Sequence, residues 1–434
     1  MKVLLFLGLS AALLFGVVFT HHGGEHDDDS NDDQGSHKHG DYHSDQDGKG
    51  AHHRDRTNKT MAFFKIARPN AYFAFKLFKQ LAAAHPTENI FFSPLSVSTA
   101  FAMLSEGAKG QTHDQILEGL GFNVSKTPED EIHAGFQDLQ NILNDPASEL
   151  ELSSGNALFI AKDLKLLPSF LDDVSKNYKA EAFSTDFENS DEAKQQINSY
   201  VERKTNGKIA ELLKSVAKES MLVLANYIYF KGKWKKPFDE TYTKEKDFHV
   251  DKDTVVKVPF MFRSGKYNSL LSKDVTVVEV PYNGNASAIF ILPRNGNLKE
   301  LEENLHESFR EWRSKFATRT LDLHIPKFSI KANLDLKEEL SKLGVTRVFS
   351  NEADLLGLQA IEKPFRLLHC TAVHKATLSI DEKGTEAAGA TGIEITPTSL
   401  PPSVIIDVPF LFAVYKSDTH SLLFFGRIVN PLAT

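Results

Sequence analysis

Between Thr385 and Ile395 every charged side chain falls on one parity of the chain, and this restricts the folds open to it more than any other feature. Read as a β-strand, with successive side chains on opposite faces, the segment puts Thr385, Ala387, Gly389, Thr391, Ile393 and Ile395 on one face. Glu386, Ala388, Ala390, Gly392 and Glu394 fall on the other. The first face can lie against a protein core without burying a charge. The same residues also suit a loop. Gly389 and Gly392 weaken a strand interior, while Thr396-Pro397 and Pro401-Pro402 resist regular pairing and favour an extended, exposed run. Ala387-Ala388-Gly389-Ala390 adds a hinge of small residues able to slide into a narrow gap. The stretch from Asp381 to Pro402 therefore has two readings, a strand in a sheet and a surface loop between two strands, and the residues alone leave both open.

At 434 residues the chain exceeds the roughly 250–300 at which a single core stops growing, so length alone predicts two domains or more. Yet no linker and no repeat interrupts residues 61–434, where helical patterns dominate early and strand patterns late. That span reads as one large α+β domain. Residues 1–20 have the layout of a secretory signal peptide: Lys2, an apolar run from Val3 to Phe19, Val18 and Thr20 as the small pair, then an abrupt His21-His22. Residues 21–60 hold eight of the seventeen histidines, nine aspartates and no aliphatic residue larger than Ala51. Such a segment cannot bury enough apolar surface to offset its ordering entropy and is expected to be disordered. His21, His22, His26, His37, His39, His43, His52 and His53 could bind divalent metal weakly, but they show no fixed ligand spacing and no metal site is assigned.

The formal charge of −8 argues against nucleic acid or an anionic membrane surface as partner. The single cysteine, Cys370, allows no intramolecular disulfide and reads as a small buried apolar residue. Sequons at Asn58, Asn123 and Asn285 fit a secreted glycoprotein. No G-x-S-x-G, H-E-x-x-H or P-loop occurs, so an enzyme is not expected, and His324 and His420 read as structural or solvated.

Ala71, Phe75, Phe78 and Ala82 mark one helical face. Ile90-Phe91-Phe92 runs into Ser93-Pro94, a capping hydroxyl followed by proline in the first turn, which starts a helix from Leu95 to Glu106. Further helices are predicted at Glu129–Asn144 and Asp191–Thr205, and strands at Leu222–Phe230, Ala288–Leu292 and Phe410–Tyr415, the last paired with Leu422–Val429.

Several blocks carry a resemblance. Glu382-Lys383-Gly384-Thr385-Glu386-Ala387-Ala388-Gly389-Ala390, then Pro409-Phe410-Leu411-Phe412 and Phe425-Gly426-Arg427-Ile428-Val429-Asn430-Pro431, closely resemble the hinge and C-terminal signature of the serpins. Asn89 to Ser96, Ile197 to Ile209 and Asn226 to Trp234 are similar to further serpin blocks in the same order. Within the family the likeness is to the alpha-1-antitrypsin group, and it covers residues 61–434.

The resemblance implies three β-sheets surrounded by about nine helices, with an exposed reactive-centre loop. It implies a monomeric, secreted, suicide-substrate inhibitor of serine proteases whose reactive bond falls at Thr398-Ser399, with Ile395-Thr396 as another cleavable pair. The hinge is then Gly384, Thr385, Glu386, Ala387, Ala388, Gly389 and Ala390. Ser93, Ser96, Asn226 and His374 resemble the polar cluster beneath the sheet, and Trp234, Lys327 and Glu382 the group at its top. Thr398, small and β-branched, suits a shallow apolar primary pocket of the elastase kind, where alpha-1-antitrypsin itself carries methionine. No cofactor is implied. The helix at Glu129–Asn144 has no lysine or arginine, so heparin activation through it is not expected. The alternative within the family is a non-inhibitory carrier of a small hydrophobic hormone.

Overall fold

The computed structural model describes residues 49–145, 148–358, 370–384 and 400–433, with side chains from Ala62 onward. Chain contacts divide the molecule into Met1–Lys49, which apart from Lys49 falls outside the described residues, and Gly50–Thr434, which carries everything below.

Helix α1 (Lys49–Ala84) leads to β1 (Ile90–Phe92), α2 (Pro94–Ser105), α3 (Gly110–Gly119) and α4 (Glu129–Leu143). Strand β2 (Glu151–Ala161), α5 (Pro168–Tyr178), β3 (Glu181–Thr185), α6 (Ser190–Lys204) and β4 (Leu222–Lys231) come next. A run of strands follows: β5 (Lys244–His249), β6 (Val255–Leu271), β7 (Val275–Pro281) and β8 (Ala286–Pro293). After α7 (Leu298–Glu303) and α8 (Leu305–Ser314) come β9 (Ala317–Pro326), β10 (Phe328–Asp335) and α9 (Leu336–Lys342). The chain ends with β11 (Cys370–Ile380), β12 (Ser403–Ile405), β13 (Phe410–Lys416) and β14 (Ser421–Ile428).

One sheet has five strands in the order β10-β11-β4-β2-β3; the other has nine, β1-β14-β13-β8-β7-β6-β9-β12 with β5 also on β6. The third expected sheet is continuous with this second one. The 17-residue β6 pairs in turn with β5, β9 and β7 and so joins them into one hydrogen-bonded network. Nine α-helices lie around the sheets among the described residues, and the class is α+β.

Helix α2 is buried along its whole length, and its four hydroxyls at Ser96, Ser98, Thr99 and Ser105 are each hydrogen-bonded, as buried polar groups must be. Ser93 caps it, its hydroxyl accepting from the Ser96 N–H at 3.2 Å, with Pro94 in the first turn. It packs against β14, β4 and β2, and so stands between the two sheets. On the far face of the five-stranded sheet, Ala193, Ile197, Tyr200 and Val201 of α6 cover Phe159, Val223, Ala225 and Tyr227. Asp191 and Glu192 in the first turn of α6 and Arg203 and Lys204 in its last complement the helix dipole.

Helical backbone in α1 begins at Lys49, inside the segment expected to lack structure. A helix nucleated by a buried face, here Phe63, Ile66 and Phe73, extends at little cost per residue, and residues 49–60 contain no proline to stop it.

Gly426 shows how closely the elements approach. It pairs with Phe91 across β1·β14, and a Cβ there would fall 2.1 Å from the Ile90 carbonyl oxygen. Gly426→Ala should therefore loosen the β1 edge and cost about 1–3 kcal/mol, read as a lower thermal unfolding midpoint. An unchanged midpoint would show that β1 yields freely.

Candidate functional site at the parallel seam

Leu222, Leu224, Ile228 and Phe230 of β4 point to the main core while Val223, Ala225 and Tyr227 point to α6, as strand alternation requires. Asn226 interrupts the core-facing row. In β11 the core-facing row is Cys370, Ala372, Ala376, Leu378 and Ile380, and His374 interrupts it. The two strands run parallel, with His374 in register with Asn226; on the other side of β4, Asn226 lies opposite Asn156 of β2. Three polar side chains thus form one rung across the buried face of the sheet, and the start of α2 brings Ser93 and Ser96 up to it.

The groups of the rung bond to one another and to the start of α2. The Ser93 N–H donates to His374 Nε2 at 3.1 Å, which leaves Nδ1–H to donate to Asn226 Oδ1. Ser96 Oγ donates to the same Oδ1 at 3.1 Å, and Asn226 Nδ2 donates to Asn156 Oδ1 at 2.6 Å and to the Ser96 carbonyl at 3.1 Å. The four expected residues therefore come together. Asn156 completes the set and was not foreseen, because nothing local in β2 distinguishes it until the register places it opposite Asn226.

The top of the seam is held by a second group. Lys327 Nζ donates to Glu382 Oε2 at 2.7 Å and Thr243 Oγ1 to Glu382 Oε1 at 2.7 Å. The Glu382 carboxylate is 5 % exposed and the Lys327 side chain 35 %. Burial works against the Glu382 charge, yet the hydrogen bonds from Lys327 and Thr243 outweigh it and hold the carboxyl below its ordinary range. Trp234 Nε1 donates to the Asp381 carbonyl at 2.8 Å, and the indole stacks on Tyr282 with centroids 4.1 Å apart. The Trp234 and Phe238 N–H groups donate to the Lys383 and Glu382 carbonyls at 3.2 and 2.8 Å. Trp234, Lys327 and Glu382 thus lie together, with Thr243 and Tyr282 as partners that spacing does not reveal. Gly384 closes this turn at φ +95°, where a Cβ would fall 2.3 Å from the Gly232 carbonyl oxygen. Only glycine fits there.

Thr385, Glu386, Ala387, Ala388, Gly389, Ala390, Thr398 and Ser399 lie outside the described residues, as do the histidines from His21 to His43; His52, His53 and Asn58 are described only as helical backbone. The chain is described again from Leu400, and β12 then pairs in parallel with β9. Asn123 and Asn285 are exposed. Cys370 is buried, and burial pushes its thiol up to about 12, too high for a reactive thiolate.

A family model described as Serpin (serine protease inhibitor) matches residues 68–431. The chain belongs to the serpin family. Its similarity to the alpha-1-antiproteinase of Callosciurus caniceps is 51 % identity over 376 residues, covering 85 % of this chain and 90 % of the relative. The alpha-1-antiproteinase of Rattus norvegicus is 48 % identical over 382 residues, covering 86 % and 91 %. Among solved structures, this serpin is similar to human thyroxine-binding globulin complexed with thyroxine, with a TM-score of 0.81 and 42 % identity over 86 % of this chain and all of that one. Human glycosylated kallistatin gives 0.79 and 40 %, covering 85 % and 99 %.

In this serpin, burial keeps the His374 imidazole neutral and pulls its pKa from the usual 6.5 down to about 3. The unfolded chain takes up that proton near pH 6.5 and the folded chain does not. Stability from the rung is therefore fully present above pH 6.5 and is lost as pH falls toward 3, by up to about 1.4 kcal/mol per pH unit. A His374→Gln variant should show a shallower fall in its urea midpoint over that window than the parent. Parallel curves would contradict a buried neutral imidazole.

Proposed function

We propose that this serpin is a secreted inhibitor of serine proteases that works as a suicide substrate, with a target of the elastase kind. The observation that carries the reading is the parallel pairing of β4 and β11, in register from Cys370 and Leu222 to Leu378 and Phe230. A strand that turned back at Gly384 and lay between them would be antiparallel to both. One parallel ladder would be replaced by two antiparallel ones, which are slightly more stable per residue.

In this mechanism the protease serine attacks the Thr398 carbonyl carbon, the amine of Ser399 leaves, and Thr398 remains as an ester on the enzyme. The freed segment from Gly384 to Thr398 then enters the sheet. Its charge-free parity, Thr385 to Ile395, faces the main core, while Glu386 and Glu394 stay on the other side. About ten new ladder hydrogen bonds at about 0.5–1.5 kcal/mol each, with Ile393 and Ile395 buried at roughly 1.5–3 kcal/mol each, give a driving force on the order of 10 kcal/mol. That is enough to oppose reassembly of a distorted protease site. In this reading Ser93, Ser96, Asn226, His374 and Asn156 re-pair as the seam opens, and Trp234, Lys327 and Glu382 hold its top closed beforehand. Asn123 and Asn285, both exposed, and Asn58 are proposed glycan acceptors, and residues 1–20 a signal peptide. The relatives named antiproteinase and antitrypsin support a serine protease as partner. The likeness to thyroxine-binding globulin keeps a second reading in view, a carrier of a small hydrophobic hormone.

Incubation with pancreatic elastase should give an SDS-resistant covalent complex, and Thr385→Lys, which would bring a charge to the buried face, should be cut at the same bond without forming one. A parent chain that is cut and leaves no complex refutes trapping and favours the carrier.

A further inference from the structure

The outer face of the parallel seam gathers like charges around a buried hydroxyl. Val373 packs with α6, so strand alternation puts Lys375 and Thr377 on the same outer face of β11. Thr377 is in register with Lys331 of β10 on one side and with Tyr229 of β4 on the other, and residues in register share a face of the sheet. Residues 205–221, between α6 and β4, come down onto this face: Lys208 Nζ lies 5.8 Å from the Tyr229 ring centroid, and Lys375 Nζ donates to the Glu211 carbonyl. Burial, reinforced by the like charges of Lys331 and Lys214, holds the Lys375 ammonium below its ordinary range against the pull of the Glu211 carboxylate. Thr377 is 6 % exposed, and its hydroxyl has no hydrogen-bond partner among the described residues. Repelling ammoniums beside an unpaired buried donor are unfavourable to assemble. An oxyanion relieves both: its charge offsets the lysines, and its oxygens accept from them and from the hydroxyl.

We infer that the outer face of the seam around Thr377 is a binding site for a small free oxyanion of the phosphate or sulfate class. Lys331 from β10, Lys375 from β11, and Lys208 and Lys214 from residues 205–221 supply the charge, and Thr377 supplies a neutral donor at the floor. Lys331 is exposed on a flexible stem, so it can swing aside to admit the anion to the buried hydroxyl. Glu211 lowers the net positive charge, which keeps the affinity modest, and salt screens it further. The donors come from β10 and β11 on one side of the seam and from the segment leading into β4 on the other. A bound anion therefore ties together strands that share no turn, and it stabilises the seam as it stands. Such a site exists whether or not this serpin traps a protease.

The test is calorimetric titration of the full-length protein with sodium pyrophosphate in a low-salt, phosphate-free buffer, with thermal unfolding measured alongside. The parent should bind pyrophosphate and unfold at a higher midpoint in its presence. Lys331→Gln should weaken binding about 10- to 100-fold, the range for one charge-assisted hydrogen bond. Thr377→Val should weaken it by up to about tenfold, the range for a neutral one. Without the anion, Thr377→Val should unfold at or above the parent's midpoint, because it removes an unpaired buried hydroxyl; its weaker binding then cannot come from a damaged fold. Lys266→Gln, at an exposed lysine of the nine-stranded sheet, should bind as the parent does. Neither heat nor a midpoint shift with pyrophosphate would overturn the inference, as would equal affinities for the parent, Lys331→Gln and Thr377→Val. Binding of dextran sulfate without binding of pyrophosphate would overturn it too, since the surface would then recognise a charged polymer and not a small anion.

Discussion

β4 and β11 lie side by side and run the same way, and no turn sews them together. Parallel neighbours cannot share a hairpin; here residues 232–369 intervene, including the strands from β5 to β10. The central seam of the five-stranded sheet is therefore closed by non-covalent contacts alone. It is a ladder of hydrogen bonds with the Asn226–His374 rung across it and the Glu382–Lys327–Trp234 group above. α2 supports one face and α6 covers the other.

In the proposed mechanism the boundary must hold and also part, and the chemistry of these contacts suits that. Buried polar groups left unpaired are costly, so the rung keeps the seam in register. The groups in it are neutral, however, and Ser96 and Asn156 stand ready on both sides of Asn226, so a separated strand would not leave a bare charge in the core. The charged pair is confined to the top, where Lys327 reaches solvent. An all-apolar seam would offer no such register, and an all-charged one would be expensive to bury.

How much of this was legible in the sequence depends on the range of the interactions. α2 was legible because Ser93 and Pro94 act within one turn, and β13 and β14 because their apolar runs are continuous and fully buried. Ser93, Ser96, Asn226 and His374 could be gathered only through the family resemblance, since 281 residues separate Ser93 from His374 and nothing local joins them. Asn156, Thr243 and Tyr282 went unseen because each earns its place through register or packing, which a linear reading does not contain. The helical backbone from Lys49 to Thr60 was missed for a different reason: composition reports what a segment can bury, whereas a helix end follows what its neighbours have already buried.

The proposed mechanism requires an intact fold that holds its seam short of the most stable pairing and reaches that pairing only after the chain is cut. The most direct measurement is thermal unfolding of the intact protein beside the same protein nicked at Thr398-Ser399. A nicked chain whose midpoint is higher by more than about 10 °C is the predicted result. Coincident unfolding curves would mean that the seam takes up no strand and that the fold stores nothing to release.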